Sequence, residues 1–144
     1  MGNAILQALG LKVGFPDRQV IALCGDGGIS MLMADILTLI QENIPLKMVI
    51  FNNGTLDFVE LEQKSEGLIR SYTELKNPDF AKLFEVAGIK GFTAKNSHDL
   101  ESIVEAFLEH DRPAVLDAYI PCVTSYYGQL ISLSIMWWEW RCMG

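Results

Sequence analysis

Gly25-Asp26-Gly27-Gly28 stands between an apolar run, Gln19–Cys24, and a helical pattern that starts at Ile29. Glycines at such a junction let the backbone approach a phosphate closely, and the amides of Gly28 and Ile29 then lie at the positive end of the helix. The Ser30 hydroxyl adds another donor. A plain nucleotide site accounts for those features but not for Asp26, because a carboxylate beside a phosphate repels it unless a cation lies between them. Mg²⁺ is the natural bridge, since it prefers oxygen ligands and is often completed by phosphates. A second cluster, Asn52-Asn53-Gly54-Thr55, follows the next apolar run, Leu46–Phe51. Neighbouring parallel strands place their carboxyl ends side by side, so Asp26 and Asn53 can face one ion. The Asn53 amide oxygen is a neutral ligand, and the loop carbonyl of Thr55 can supply a third. Two diphosphate oxygens and one water complete the octahedron. A lone GDGG is a weak signal, because Asp-Gly turns are common. Its pairing with Asn53 across one helix and one strand is far more specific.

The elements that must carry these residues follow from apolar spacing. Ala4, Ile5, Ala8, Leu9 and Val13 recur at helical spacing, and Gly14-Phe15-Pro16-Asp17 ends that helix. Gln19–Cys24 reads as a buried strand. Ile29, Leu32, Met33, Ile36, Leu39 and Ile40 fall on one face, which predicts a helix over Ile29–Asn43. Pro45 stops it, and Leu46–Phe51 is a second strand. Strand, Gly turn, helix and strand make a βαβ unit, which implies a parallel sheet. Beyond it the spacing predicts a short helix over Leu56–Glu66 and a polar loop over Glu66–Lys76. Asn77-Pro78 forms a cap and first turn for a helix through Ala87. A strand follows over Ile89–Thr93, then a helix capped by Ser97 and running through Glu109, then a last strand over Pro113–Ile120. The expected architecture is three-layer α/β/α with a mainly parallel sheet.

Composition narrows the function classes. A chain of 144 residues fits one domain with a substantial core. The net charge of −7 argues against a nucleic-acid partner, which calls for a basic stripe. Cys24, Cys122 and Cys142 match no zinc spacing, and Cys24 reads as a reduced core thiol, so a cytoplasmic setting is the default. His98 and His110 lie in polar stretches and suggest a solvated surface. Met1-Gly2-Asn3-Ala4 enters an apolar pattern at once, with no basic leader, as a piece cut from something longer would. Residues 1–120 form the expected domain, and 121–144 a separate Trp-rich tail. Ile120–Trp138 lacks charge yet holds too many polar residues for a confident membrane span. Trp137, Trp138 and Trp140 suit a partner surface or a peripheral position at the inner face of a membrane, and an ordinary packed segment is the bland alternative.

Gly25-Asp26-Gly27 through Asn52-Asn53 resembles the cofactor motif of the thiamine diphosphate enzymes. GDGGISMLMADILTL, LKMVIFNN and FVELEQ most resemble the branch of pyruvate oxidase and quinone-linked pyruvate dehydrogenase. The resemblance covers about Met1 to Ile120. It implies that thiamine diphosphate is bound through Mg²⁺ held by Asp26, the Asn53 side chain and the Thr55 carbonyl, with Gly27, Gly28, Ser30 and Gly54 near the diphosphate. It implies that Met1 props the cofactor into a bent shape. Leu56 and Asp57 then follow the metal loop beside the cofactor, and Phe58, Val59 and Glu62 line the pocket for pyruvate. A solvated helix carboxylate is the bland alternative for Glu62. Asp57 departs from the branch, which usually has Gly there. In that family a pyrimidine-binding domain, an FAD domain and oligomer formation complete the catalyst, and neither extra domain fits beside this one in 144 residues. A domain of an acetolactate synthase or decarboxylase, or a non-catalytic remnant, are the alternatives.

Overall fold

A computed structural model of the chain describes residues 1–121. The elements are α1 (Ala4–Gly14), β1 (Ile21–Gly25), α2 (Asp26–Met31), a 3₁₀ turn (Met33–Asp35), α3 (Ile36–Gln41) and β2 (Lys47–Asn52). They continue as α4 (Asp57–Ser65), α5 (Phe80–Val86), β3 (Lys90–Ala94), α6 (Leu100–Glu109) and β4 (Ala114–Tyr119). The four strands form one sheet in the order β1-β2-β4-β3, and every pairing is parallel. Its register sets Cys24 beside Ile50, and Ile50 beside Asp117.

Helices cover both faces, as a parallel sheet requires. On one face Ile5, Ile29, Leu39, Phe80 and Phe84 pack with Cys24, Met48, Ile50 and Val115. On the other, Phe107 of α6 packs with Ala94, Ala114 and Leu116, joined by the half-buried Val49 and Phe92. Consecutive β4 residues thus serve opposite cores, the mark of a strand buried on both sides. Over β1 the second layer is thin, for Ala22 and Cys24 are buried while Ile21 and Leu23 are exposed. The architecture is the expected α/β/α one.

Three local expectations change. The single helix over Ile29–Asn43 is broken into α2, the 3₁₀ turn and α3, and it starts three residues earlier, at Asp26. No Gly or Pro marks the break, and Ile29, Ile36 and Leu39 stay buried on both sides of it. Asn77 does not cap α5. Asp79 does, its side chain accepting the Lys82 amide at 3.0 Å. Ser97 does not cap α6 either; the N-cap position falls at Asp99, without a side-chain cap bond.

The chain divides into two compact units, one of Met1–Thr55 with Glu74–Ile120, the other containing Leu56–Thr73. Within the second unit, Glu60 of α4 is buried and paired with Lys64 at 2.7 Å and Arg70 at 2.9 Å. The Leu56 amide donates to the Thr73 carbonyl at 2.8 Å, and the Gln63 side chain brackets the Ser71 backbone. Among the described residues no helix is long and apolar enough to cross a membrane. The Trp-rich tail, with Trp137, Trp138 and Trp140, lies outside the described residues.

Candidate functional site

The carboxyl ends of β1 and β2 are neighbours, since Gly25 is in register with Phe51. Asp26 follows the first and Asn53 the second, so the parallel pairing alone brings the two clusters together. The edge beyond the strand ends is where open α/β sheets bind ligands.

Asp26 is only 3% exposed. Its Oδ1 accepts the Gly27 amide at 2.8 Å, and its Oδ2 accepts the Gly54 amide at 2.8 Å. The second bond ties the two clusters directly. Oδ2 also accepts the side-chain amide of Asn77 at 2.6 Å. As a residue of the first turn of α2, Asp26 is favourably placed against the helix dipole. Among the described residues no basic side chain pairs with it.

Around it the second loop is tightly wound. Gly54 has φ +70°, a left-handed conformation that glycine takes without strain. That turn lets the Thr55 amide donate to Asn53 Oδ1 at 3.1 Å, an Asx-type bond. Thr55 is buried, and its Oγ1 has no hydrogen-bond partner among the described residues. Thr55 forms an antiparallel bridge with Glu74, and the Leu75 amide donates to the Gly54 carbonyl at 2.8 Å.

Beneath the loops runs a polar network within the sheet. Asn52 Nδ2 donates to Asp117 Oδ1 at 3.0 Å, and the Phe80 amide donates to Asp117 Oδ2 at 3.1 Å. Asn77 Nδ2 donates to Asn52 Oδ1 at 2.9 Å. Burial pushes the Asp117 carboxyl above its usual range, against the pull of the Asn52 and Phe80 bonds.

The expected residues distribute as follows. Gly27 is buried and Gly28 half-buried in the first turn of α2. Because that helix begins at Asp26, its leading amides belong to Asp26, Gly27 and Gly28 rather than to Gly28 and Ile29. Ser30 is exposed, and its hydroxyl donates to the Asp26 carbonyl at 2.8 Å, a back-bond that employs its proton inside the helix. Met1 is 72% exposed; its neighbour Gly2 lies close to the turn, for a Cβ on Gly28 would come 3.7 Å from the Gly2 nitrogen. Leu56, Asp57, Phe58, Val59 and Glu62 belong to the second unit. There Leu56, Asp57 and Val59 are half-buried, while Phe58 and Glu62 of α4 are exposed.

Three residues of this site escape the spacing argument: Asn77, Asn52 and Asp117. Asn77 carries a cap signal with Pro78, which masks its long-range role. Asn52 is visible only as the first of a paired Asn. Asp117 stands inside an apolar run, and a charge at that place is its one signal.

The donor set suits a hard divalent cation. Among the described residues it offers a buried carboxylate without a basic partner, an amide oxygen, a loop carbonyl and a hydroxyl without a hydrogen-bond partner, all of them oxygen. No group of three or more His, Cys, Asp or Glu side chains that would hold a metal alone occurs among the described residues. The ion's other ligands would have to come from the loop backbone, amide side chains and the phosphates.

Residues 1–118 match the family model of the thiamine pyrophosphate enzymes' C-terminal TPP binding domain. The chain is 38% identical over 120 residues to YdaP of Bacillus subtilis (strain 168), provisionally named a thiamine pyrophosphate-containing protein, with 83% of this chain and 21% of that one covered. It is 32% identical over 123 residues to the acetolactate synthase large subunit of Pyropia yezoensis, with coverage of 83% and 21%. It is 32% identical over 124 residues to the pyruvate oxidase of Lactiplantibacillus plantarum, with coverage of 83% and 20%. The chain thus spans about a fifth of the length of these relatives.

Proposed function

The chain belongs to the thiamine pyrophosphate enzymes, as their C-terminal TPP binding domain, and from that membership we propose that it holds thiamine diphosphate through Mg²⁺ as part of a pyruvate-oxidising enzyme. The observation that carries the metal reading is Asp26, a buried carboxylate braced by three N–H donors. A buried charge without a counter-charge is costly, and a divalent cation at this position relieves that cost. Asp26, the Asn53 side chain and the Thr55 carbonyl hold the ion in this reading. Gly27, Gly28 and Gly54 bring backbone against the diphosphate. Met1 would support the bound cofactor, and Leu56, Asp57, Phe58, Val59 and Glu62 would contribute to the cofactor and substrate surroundings.

When bound, thiamine diphosphate supplies an electron sink for cleaving the bond beside a keto carbon. The residues of this chain bind and orient, with Asp26 held rigid enough to fix the ion. A pyrimidine-binding domain or subunit and FAD, contributed from elsewhere in an oligomer, complete the catalyst. The pyruvate oxidase reading is supported by the GDGGISMLMADILTL and FVELEQ segments and by the 32% identity to a pyruvate oxidase. An equal identity to an acetolactate synthase supports a second reading, a domain of that type.

Calorimetric titration of the chain with thiamine diphosphate, with and without Mg²⁺, tests the proposal. Weak Mg²⁺-dependent binding is expected, and Asp26→Ala should abolish it. Equal binding by Asp26→Ala would sink the metal assignment. Supplying pyruvate to the full-length protein separates the two readings: electron-acceptor reduction supports the first, and acetolactate formation the second.

A further inference from the structure

We propose that Asn77 is the positioning residue of the metal site: its side-chain amide pins one oxygen of Asp26 so that the other is presented to the ion. The proposal rests on Asp26 being a metal ligand, as argued above. Asn77 Nδ2 donates to Asp26 Oδ2 at 2.6 Å and to Asn52 Oδ1 at 2.9 Å. Oδ2 also receives the Gly54 amide at 2.8 Å. An ionised carboxylate oxygen has about two acceptor sites, so both sites of Oδ2 are filled. Among the described residues Oδ1 accepts only the Gly27 amide, at 2.8 Å, which leaves it one lone pair for an ion. Mg²⁺ demands near-ideal octahedral geometry, and a carboxylate free to rotate would offer either oxygen and hold neither in place.

The polarity of the Asn77 amide is itself determined from below. Asn52 turns its NH₂ toward the Asp117 carboxyl, donating to Oδ1 at 3.0 Å. Its Oδ1 then faces Asn77, which must answer with its own NH₂. The same NH₂ reaches Asp26. Asn77 is delivered there by the strap it ends, since Glu74 bridges Thr55 and the Leu75 amide bonds the Gly54 carbonyl. The cap of α5 is supplied by Asp79 instead, which leaves the Asn77 side chain available for this role.

Titration of the full chain with Mn²⁺ and thiamine diphosphate, followed by calorimetry and by the electron paramagnetic resonance of the bound ion, tests the proposal. Asn77→Ala is expected to weaken metal binding about 10- to 100-fold, the range for removing a residue that orients a ligand, and to broaden the Mn²⁺ signal. Asn77→Ser, with one shorter donor, should fall between it and wild type. Asp79→Ala is the control: it removes the α5 cap and lowers the melting temperature without metal, yet leaves metal affinity unchanged. Wild-type affinity in Asn77→Ala overturns the proposal while leaving the metal reading intact. Should that variant not fold, wild-type affinity in Asn77→Ser does the same. An equal loss in Asp79→Ala overturns it too, by showing that general destabilisation is enough. A wild-type chain that binds no metal, or an Asp26→Ala variant that keeps it, overturns both the metal reading and this one.

Discussion

Asp117 lies fully buried in β4, where a carboxylate is tolerated only with its acceptors filled. Asn52 and the Phe80 amide fill them. Asp117→Ala strands both donors in the interior, and a loss of roughly 2–5 kcal/mol is expected from urea unfolding. Gly54 makes a different demand. An added Cβ would meet only the Leu75 carbonyl, at 3.7 Å, so space is available. Its φ of +70° is the obstacle, and Gly54→Ala should cost about 1–2 kcal/mol in backbone strain. Because the Gly54 amide holds Asp26, the same variant should also weaken Mg²⁺-dependent binding in a titration. Cys24 contributes no reactivity at this scale, for burial pushes its thiol up to about 11 and keeps it protonated.

Between elements, α5 approaches β3 closely at Gly91. A Cβ at Gly91 would lie 2.6 Å from the Ala81 carbonyl oxygen, so the helix backbone rests on that strand where no side chain intervenes. Gly91→Ala should push them apart at a cost of about 1–3 kcal/mol, seen as a lower thermal midpoint. Strand positions were legible in the sequence because short apolar runs between breakers leave few alternatives, and each predicted strand lies within two residues of the observed one at either end. Helix continuity and capping were less legible. The stripe Ile29, Met33, Ile36, Ile40 reads straight through the 3₁₀ turn, since periodicity reports which residues face the core and not whether hydrogen bonding is unbroken. Asn77-Pro78-Asp79 holds two cap candidates two residues apart, and local chemistry does not choose between them. A partner far away in sequence, Asp26, takes the first.

At the scale of the whole chain, the two compact units call for different tests. In the second, Glu60 is held below the usual carboxylate range, chiefly by its hydrogen bond to Lys64, with Arg70 adding to the effect against burial. A folded pKa below the ordinary 4.5 means that this contribution to stability is present above that pH and is lost as pH falls through the folded value. Glu60→Gln should therefore be less stable than wild type at neutral pH, and the gap should shrink in urea melts as pH falls below the ordinary carboxylate range. The first unit carries the Asp26 and Asn53 loops, and the chain spans about a fifth of its relatives. The purified chain alone is expected not to decarboxylate pyruvate, which an assay of carbon dioxide release checks. Turnover at the median enzyme rate of about 10 per second would show that its own residues suffice.

The sequence by itself determined the parallel α/β order and the pairing of the Asp26 cluster with the Asn53 cluster. Strand, Gly turn, helix and strand can close in few ways, and parallel neighbours carry their following loops to the same edge. Only the tertiary structure decided how Asp26 is held. The amides of Gly27 and Gly54, the strap from Glu74 to Asn77 and the Asn52–Asp117 network meet there. Hydrogen bonds between residues far apart in sequence leave no periodic trace in it, because they depend on direction and distance in the folded chain and not on spacing along it.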